Sequence, residues 1–188
     1  MARPKVIDQR DILTAARAHF AEHGYAATSL RQLMAAAGVS TTAFYSRFES
    51  KEAVFIALVD EVMRSLLDQG ARVLASASSV DDGVEGGLKV LVACLIDHRP
   101  VVRLALTEGA SVPAVRATLS QAYGALAGLL GAHLASLAGS RLGRKHRSHG
   151  WALVGALQIQ VMRWAVFDQL DDRELRTELK RTSSVLLS

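Results

Sequence analysis

The sequence predicts an all-α protein, and three observations carry that prediction. Apolar residues recur at intervals of three and four through most of the 188 residues. No two-residue alternation is sustained between turn signals, so strands are not expected. Three prolines interrupt the chain, Pro4, Pro100 and Pro113, and the last two stand where helices should end or begin.

The elements follow in order. A first helix, about Arg10–His23, carries Ile12, Ala15, Ala16 and Phe20 on one face. Gly24 is placed to end it in a left-handed conformation. Thr28 or Ser29 caps a second helix, about Leu30–Ala37, whose inner face is Leu30, Leu33, Met34 and Ala37. Gly38 can take the positive φ of a tight turn, Val39 plugs that turn, and Ser40 caps a third helix, about Thr41–Phe48. Phe44 and Phe48, four apart, face inward. Ser50 caps a long fourth helix, about Lys51–Ala75.

Beyond the predicted loop "ASASSVDDG" come a fifth helix, about Val84–His98, a sixth, about Val101–Glu108, and a seventh, about Ala114–Leu137. A second loop, "AGSRLGRKHRSHG", leads to an eighth helix, about His149–Gln169, and a ninth, about Arg173–Leu187. About nine helices with short connections make a helical bundle. The chain divides near Ser50 into a small unit, residues 1–50, and a larger bundle, residues 51–188. The fourth helix is the one element expected to touch both.

Composition narrows the class. Half of the residues are hydrophobic, with a mean hydropathy of +0.20. The longest apolar run, Trp151 to Leu170, is broken by Gln158, Gln160, Arg163 and Asp168, whereas a spanning helix needs about 20 mostly uncharged residues. It reads as a helix buried in a core or interface, and no membrane partner is expected. The start "MARPKVIDQRD" has no apolar leader segment, and the single Cys94 excludes an intrachain disulfide. Both fit a cytoplasmic protein. The net charge is +4, and residues 1–51 alone hold +3 of it. Excess positive charge at one end favours a polyanion there.

Two short helices joined by a glycine-containing turn form the helix-turn-helix signature, whose second helix enters the DNA major groove. The small residues Ser40, Thr41, Thr42 and Ala43 would let that helix approach base edges, with hydroxyls for hydrogen bonds and methyls for thymine. Tyr45 and Arg47 can reach phosphates and set register. Lys51, in the first turn of the fourth helix, forms a candidate phosphate site, with a solvated cap as the plainer reading. Arg3, Lys5, Thr28 and Arg31 complete the candidate DNA contacts.

The segment "ILTAARAHFAEHGYAATSLRQLMAAAGVSTTAFYSRFESKEAVF" resembles the N-terminal domain of the tetracycline-repressor (TetR) family of transcriptional regulators. "AA…F…HGY..TS" and "AGVS…FY.RF.SKEA", at this spacing, carry the resemblance over residues 12–55. His19 stands where a leucine-like residue is usual, and Thr41-Thr42-Ala43 replaces the commoner basic-glycine-threonine run. The second departure alters which bases are read. The resemblance implies a homodimer and a C-terminal domain that binds a small molecule.

The eighth helix agrees, being apolar nearly all round, so it needs partners on more than one face. A second subunit would provide one, and a central helix in a monomeric bundle is the alternative. The expected dimer residues are Val154, Leu157, Val161, Ala165, Leu179 and Val185. Polar residues within the apolar helices are candidate effector contacts: Cys94, His98, Arg103, Tyr123, Gln158 and Met162, with Glu108 and His133 also noted. Each also fits a structural or solvated role. Glycines 124, 128 and 131 make the seventh helix thin on one side, for pocket space or for close packing. Cys94 and His98 lie one turn apart without a third ligand or orienting carboxylate, so neither metal, catalysis nor cofactor is expected.

The expected function is that of a ligand-responsive DNA-binding regulator. It would be a repressor that binds a palindromic double-stranded operator as a homodimer and is released by a small apolar molecule. The alternative is a helical enzyme or small-molecule carrier with an incidental basic N-terminus. Salt-dependent, sequence-selective binding of duplex DNA separates the two.

Overall fold

A computed structural model describes residues 8–187. Among them are α1 (Gln9–His23), α2 (Leu30–Ala37), α3 (Thr41–Tyr45), α4 (Lys51–Ser76), α5 (Val80–Asp97), α6 (Arg99–Thr107), α7 (Pro113–Leu137), α8 (Arg144–Ala165) and α9 (Asp172–Leu187), with a 3-10 turn at Gly109–Ser111. The described residues contain no strand, and no helix long and apolar enough to cross a membrane.

The caps fall on the serines that local chemistry favours. Ser29 Oγ accepts from the Gln32 amide at 3.3 Å, while the Gln32 side chain accepts from the Ser29 amide at 2.8 Å. Ser40 Oγ accepts from Ala43 N at 3.2 Å and Ser50 Oγ from Ala53 N at 3.0 Å. Gly38 ends α2 in the left-handed region at φ 64°, ψ 31°.

Four boundaries differ from expectation. α5 begins at Val80, inside the predicted loop, because Ser79 Oγ caps Asp82 N at 3.1 Å and two acidic residues suit a helix N-terminus. α8 begins at Arg144 because the buried His146 reaches back, its Nδ1 accepting from Gly143 N at 3.2 Å. That leaves the proton on Nε2, 3.3 Å from Ser140 Oγ. α3 stops at Tyr45, where Ser46 Oγ donates to the Ala43 carbonyl at 2.8 Å and the chain turns to seat Phe48. α8 ends at Ala165, short of Gln169, as the chain passes through Asp168 at φ 51°.

Two cores organise the bundle. The first gathers Ile12, Ala16 and Phe20 of α1, Leu33 of α2, Phe44, Phe48, and Val54, Phe55 and Leu58 of α4. It runs on without a break into Val101, Leu104 and Ala105 of α6 and Val115 of α7. The second joins Val92 and Leu95 of α5 to Val161, Trp164 and Ala165 of α8 and Leu175 and Leu179 of α9. Trp164, fully buried, donates its indole N–H to Asp172 at 2.8 Å.

α4 is therefore not alone in touching both regions. α6 packs on α1 as well as on α8. Its first turn is fastened to the end of α8, where Arg99 donates to the Trp164 carbonyl at 2.8 Å and to Asp168 at 3.1 Å. The guanidinium of Arg99 also lies over the Trp164 ring, 4.7 Å from its centroid. Gly131 and Gly150 serve close packing of α7 on α8. A Cβ at Gly131 would lie 2.6 Å from the His146 carbonyl oxygen, and one at Gly150 would collide with the Ala127 carbonyl.

Candidate nucleic-acid interface and apolar cavity

Burying Phe44 and Phe48 turns the opposite side of α3 outward. Ser40, Thr41, Thr42, Tyr45 and Arg47 are exposed there, Ala43 is half-buried, and Arg31 is exposed on α2. Tyr45 is 53% exposed, its ring standing edge-on to Phe44. Arg3 and Lys5 lie outside the described residues.

Two expected DNA contacts are turned elsewhere. Thr28 is 2% exposed, and its hydroxyl donates to the Gly24 carbonyl at 2.6 Å, so it braces the α1–α2 connection instead of facing outward. The Lys51 ammonium donates to the carbonyls of Tyr25 at 2.7 Å and Thr28 at 2.6 Å, and sits 4.1 Å from the centroid of the Tyr25 ring. Burial pushes the pKa of this ammonium down, and the nearby Glu108 carboxylate works against that shift. Burial, with Glu52 and Glu108 close by, pushes the Tyr25 phenol up.

Glu108 completes the arrangement from the other side. One carboxylate oxygen accepts from Tyr25 N at 3.1 Å and the other from Ala26 N at 2.8 Å. Gly24 leaves room for it: its φ is 78°, and a Cβ there would stand 3.0 Å from Glu108 Oε1. The α1–α2 connection is thus gripped by an anion on its N–H groups and a cation on its carbonyls. In the sequence Glu108 stands out only as a polar residue at the end of an apolar helix. The available signal was electrostatic, because an acid just past a helix C-terminus is unfavourable there unless it has partners elsewhere.

Lys51→Met should therefore act through stability. Loss of two hydrogen bonds from a charged donor should cost about 2 kcal/mol in denaturant unfolding. The salt dependence of DNA binding should stay that of the parent protein, whereas a direct phosphate contact would lower its slope by about one unit.

A cavity of about 200 Å³ opens between α4, α5, α6, α7, α8 and α9. Leucines dominate its wall, among them Leu66, Leu91, Leu126 and Leu130. Of the six candidate effector contacts, Cys94, Tyr123 and Gln158 line it. The Cys94 thiol points to the Val62 carbonyl at 3.7 Å, and burial pushes its pKa up, as it does for the Tyr123 phenol. His98, Arg103 and Met162 are not part of the wall. Arg103 pairs with Asp168 at 3.4 Å on the outer surface, and His98 Nδ1 is buried without a partner among the described residues.

Most of the expected dimer residues point the other way. Val154, Val161, Ala165 and Leu179 are buried inside the protomer, and Val154, Leu157 and Val161 line the cavity. A helix that is apolar all round gives no periodic signal for which side meets its own bundle. Val185, 70% exposed, does face outward. So do Trp151, Gly155 and Ile159, one turn apart along α8, together with Phe167 and Leu186.

Residues 12–58 match the family described as bacterial regulatory proteins, tetR family. The HTH-type transcriptional repressor ComR of Escherichia coli (strain K12) is 32% identical over 93 residues, which are 49% of this chain and 44% of that protein. The chain thus spans less than half the length of that curated relative. Among solved structures, a TetR-family transcriptional regulator from Syntrophomonas wolfei superposes with a TM-score of 0.82 at 15% identity, over 95% of this chain and 94% of the other. The fatty acid degradation regulator FadR from Bacillus halodurans gives 0.81 at 23% identity, over 100% and 97%. At these identities the structural likeness speaks for the fold.

Proposed function

We propose, from the match of residues 12–58 to the tetR family of bacterial regulatory proteins, that the chain is a cytoplasmic transcriptional repressor. It binds a palindromic operator as a homodimer and releases it when a small apolar molecule enters the α4–α9 cavity. Residues 1–50 read DNA; residues 51–188 bind the effector and form the dimer.

The observation that carries this reading is the outward set on α3 and the residues flanking it: Ser40, Thr41, Thr42, Tyr45 and Arg47, with Arg31 on α2. Thr41 and Thr42 contact base edges, and Tyr45 and Arg47 contact phosphates. The outward face of α8, with Val185 and Leu186 of α9, meets its copy in the partner subunit. This face replaces the inward residues first expected. The leucine-rich wall of the cavity supports an apolar effector.

Release requires linkage. The effector must bind the DNA-incompetent conformation more tightly, and a hundredfold loss of operator affinity needs about 2.7 kcal/mol of coupling. α6 is placed to provide it, since Val101, Val102, Ala105 and Leu106 line the cavity while Glu108 grips the α1–α2 connection.

Selection of binding sites from a random duplex library tests the assignment. An inverted repeat should emerge, bound more weakly as salt rises. Tyr45→Ala should weaken every duplex by about tenfold, whereas Thr42→Ala should change the preferred bases. No selective, salt-dependent duplex binding would return the chain to the helical-carrier reading.

A further inference from the structure

The polar groups on the cavity wall are all uncharged. Among the described residues that line it there is no Lys, Arg, His, Asp or Glu. Besides the Cys94 thiol, three neutral polar side chains interrupt the hydrocarbon: Tyr123 of α7, Gln158 of α8 and Ser183 of α9. None of the three has a hydrogen-bond partner among the described residues. Tyr123 and Gln158 belong to one seam. α7 and α8 run antiparallel, with Gly131 against His146 and Ala127 against Gly150. Continued at that register, the pairing sets Tyr123 beside Val154 and Gln158 about one helical turn farther along α8.

A charged head group would lose its water here with no charged side chain on the wall to pair with, the His133 ring, unpartnered among the described residues, lying behind Gly83. An alcohol, phenol, ketone or ester would instead meet a phenol that both donates and accepts and an amide that does the same. The size is also bounded. An apolar cavity of about 150 Å³ holds a benzene ring, so one of about 200 Å³ suits a substituted single ring or a chain of about eight carbons.

Resting on the reading of this cavity as the effector site, we propose that its ligand is an uncharged amphiphile of that size, its polar head bonded to Tyr123 and Gln158. Free carboxylates and acyl-CoA thioesters fall outside this class.

α5 supplies a way to close the site. Gly83, Gly87, Leu91 and Cys94 form one stripe along the cavity wall. A Cβ at Gly87 meets nothing within 4 Å, so Gly87→Leu should grow into the cavity, and leucine also favours the helix.

Calorimetric titration of the full-length protein without DNA, at neutral pH, tests the class with three probes of equal length: 1-octanol, octanoate and octylammonium. Octanol should bind, and each charged analogue should bind at least about tenfold more weakly. Gly87→Leu should abolish octanol binding with no loss of melting temperature. Tyr123→Phe and Gln158→Leu should each weaken octanol by about three- to tenfold while leaving ethylbenzene, which has no polar head, unaffected. Octanoate binding as tightly as octanol, unchanged octanol binding in Gly87→Leu, or failure of all three probes to bind would overturn the proposal. Operator release is measured separately. Octanol that binds without releasing DNA would refute the effector reading and leave the ligand class standing.

Discussion

Ile159→Asp is expected to convert the protein from dimer to monomer and to lower operator affinity by about a hundredfold or more. Ile159 is 47% exposed at the middle of the outward face of α8, with Trp151, 50% exposed, two turns before it. Phe167, Val185 and Leu186 add exposed hydrophobic area beyond the end of α8 and on α9. Large apolar side chains exposed in series along one helix face, as Trp151 and Ile159 are, mark an association site more than a solvated one. A carboxylate on that face would be desolvated on association without a counter-ion. The loss extends to DNA because two linked half-site readers gain about 10²–10⁴ in avidity over one. Light scattering and operator titration read both effects. Val161→Asp is the contrast: Val161 is 8% exposed and lies in the second core, so its charge should unfold the protomer before it affects assembly. A parent protein that is monomeric at micromolar concentration, or an Ile159→Asp protein that stays dimeric, would remove this face from the interface.

Glu108→Ala should release the connection between α1 and α2. Its carboxylate satisfies two backbone N–H groups, at 2.8 and 3.1 Å, that would otherwise lack a protein acceptor. Charge-assisted bonds of this kind contribute about 1.5–3 kcal/mol each when sheltered, and the half-exposed setting argues for about 2 kcal/mol in all. Hydrogen exchange should speed up at the Tyr25 and Ala26 amides, and operator affinity should fall because α1 and α2 set the angle of α3. Glu108→Gln keeps an acceptor and should lie between parent and alanine variant. Unchanged exchange at those two amides would show that the turn stands without Glu108.

Much of the N-terminal unit was legible because its signals are local. A serine cap, a glycine at positive φ and phenylalanines four apart each act within a turn or two of chain. Ser29, Ser40, Ser50, Gly38, Phe44 and Phe48 accordingly stand where the sequence places them. The misjudged boundaries came from composition read as conformation. "SSVDDG" and "RKHRSHG" look like loops, yet one is a capped acidic helix start and the other a helix start closed by a buried histidine.

Local patterning along the chain was enough for the helical class, the order of the helices, the helix-turn-helix and the tetR-family likeness of residues 12–58. Periodicity, capping and turn chemistry are properties of neighbouring residues, and so they survive without a partner. Packing across the bundle sets which side of α8 faces its own protomer, brings Lys51 and Glu108 onto a turn more than 20 and 80 residues away, and selects which polar groups line the cavity. Those outcomes depend on what a side chain meets across space. An ammonium beside carbonyls and a carboxylate beside amides are drawn there by electrostatics that chain spacing does not encode.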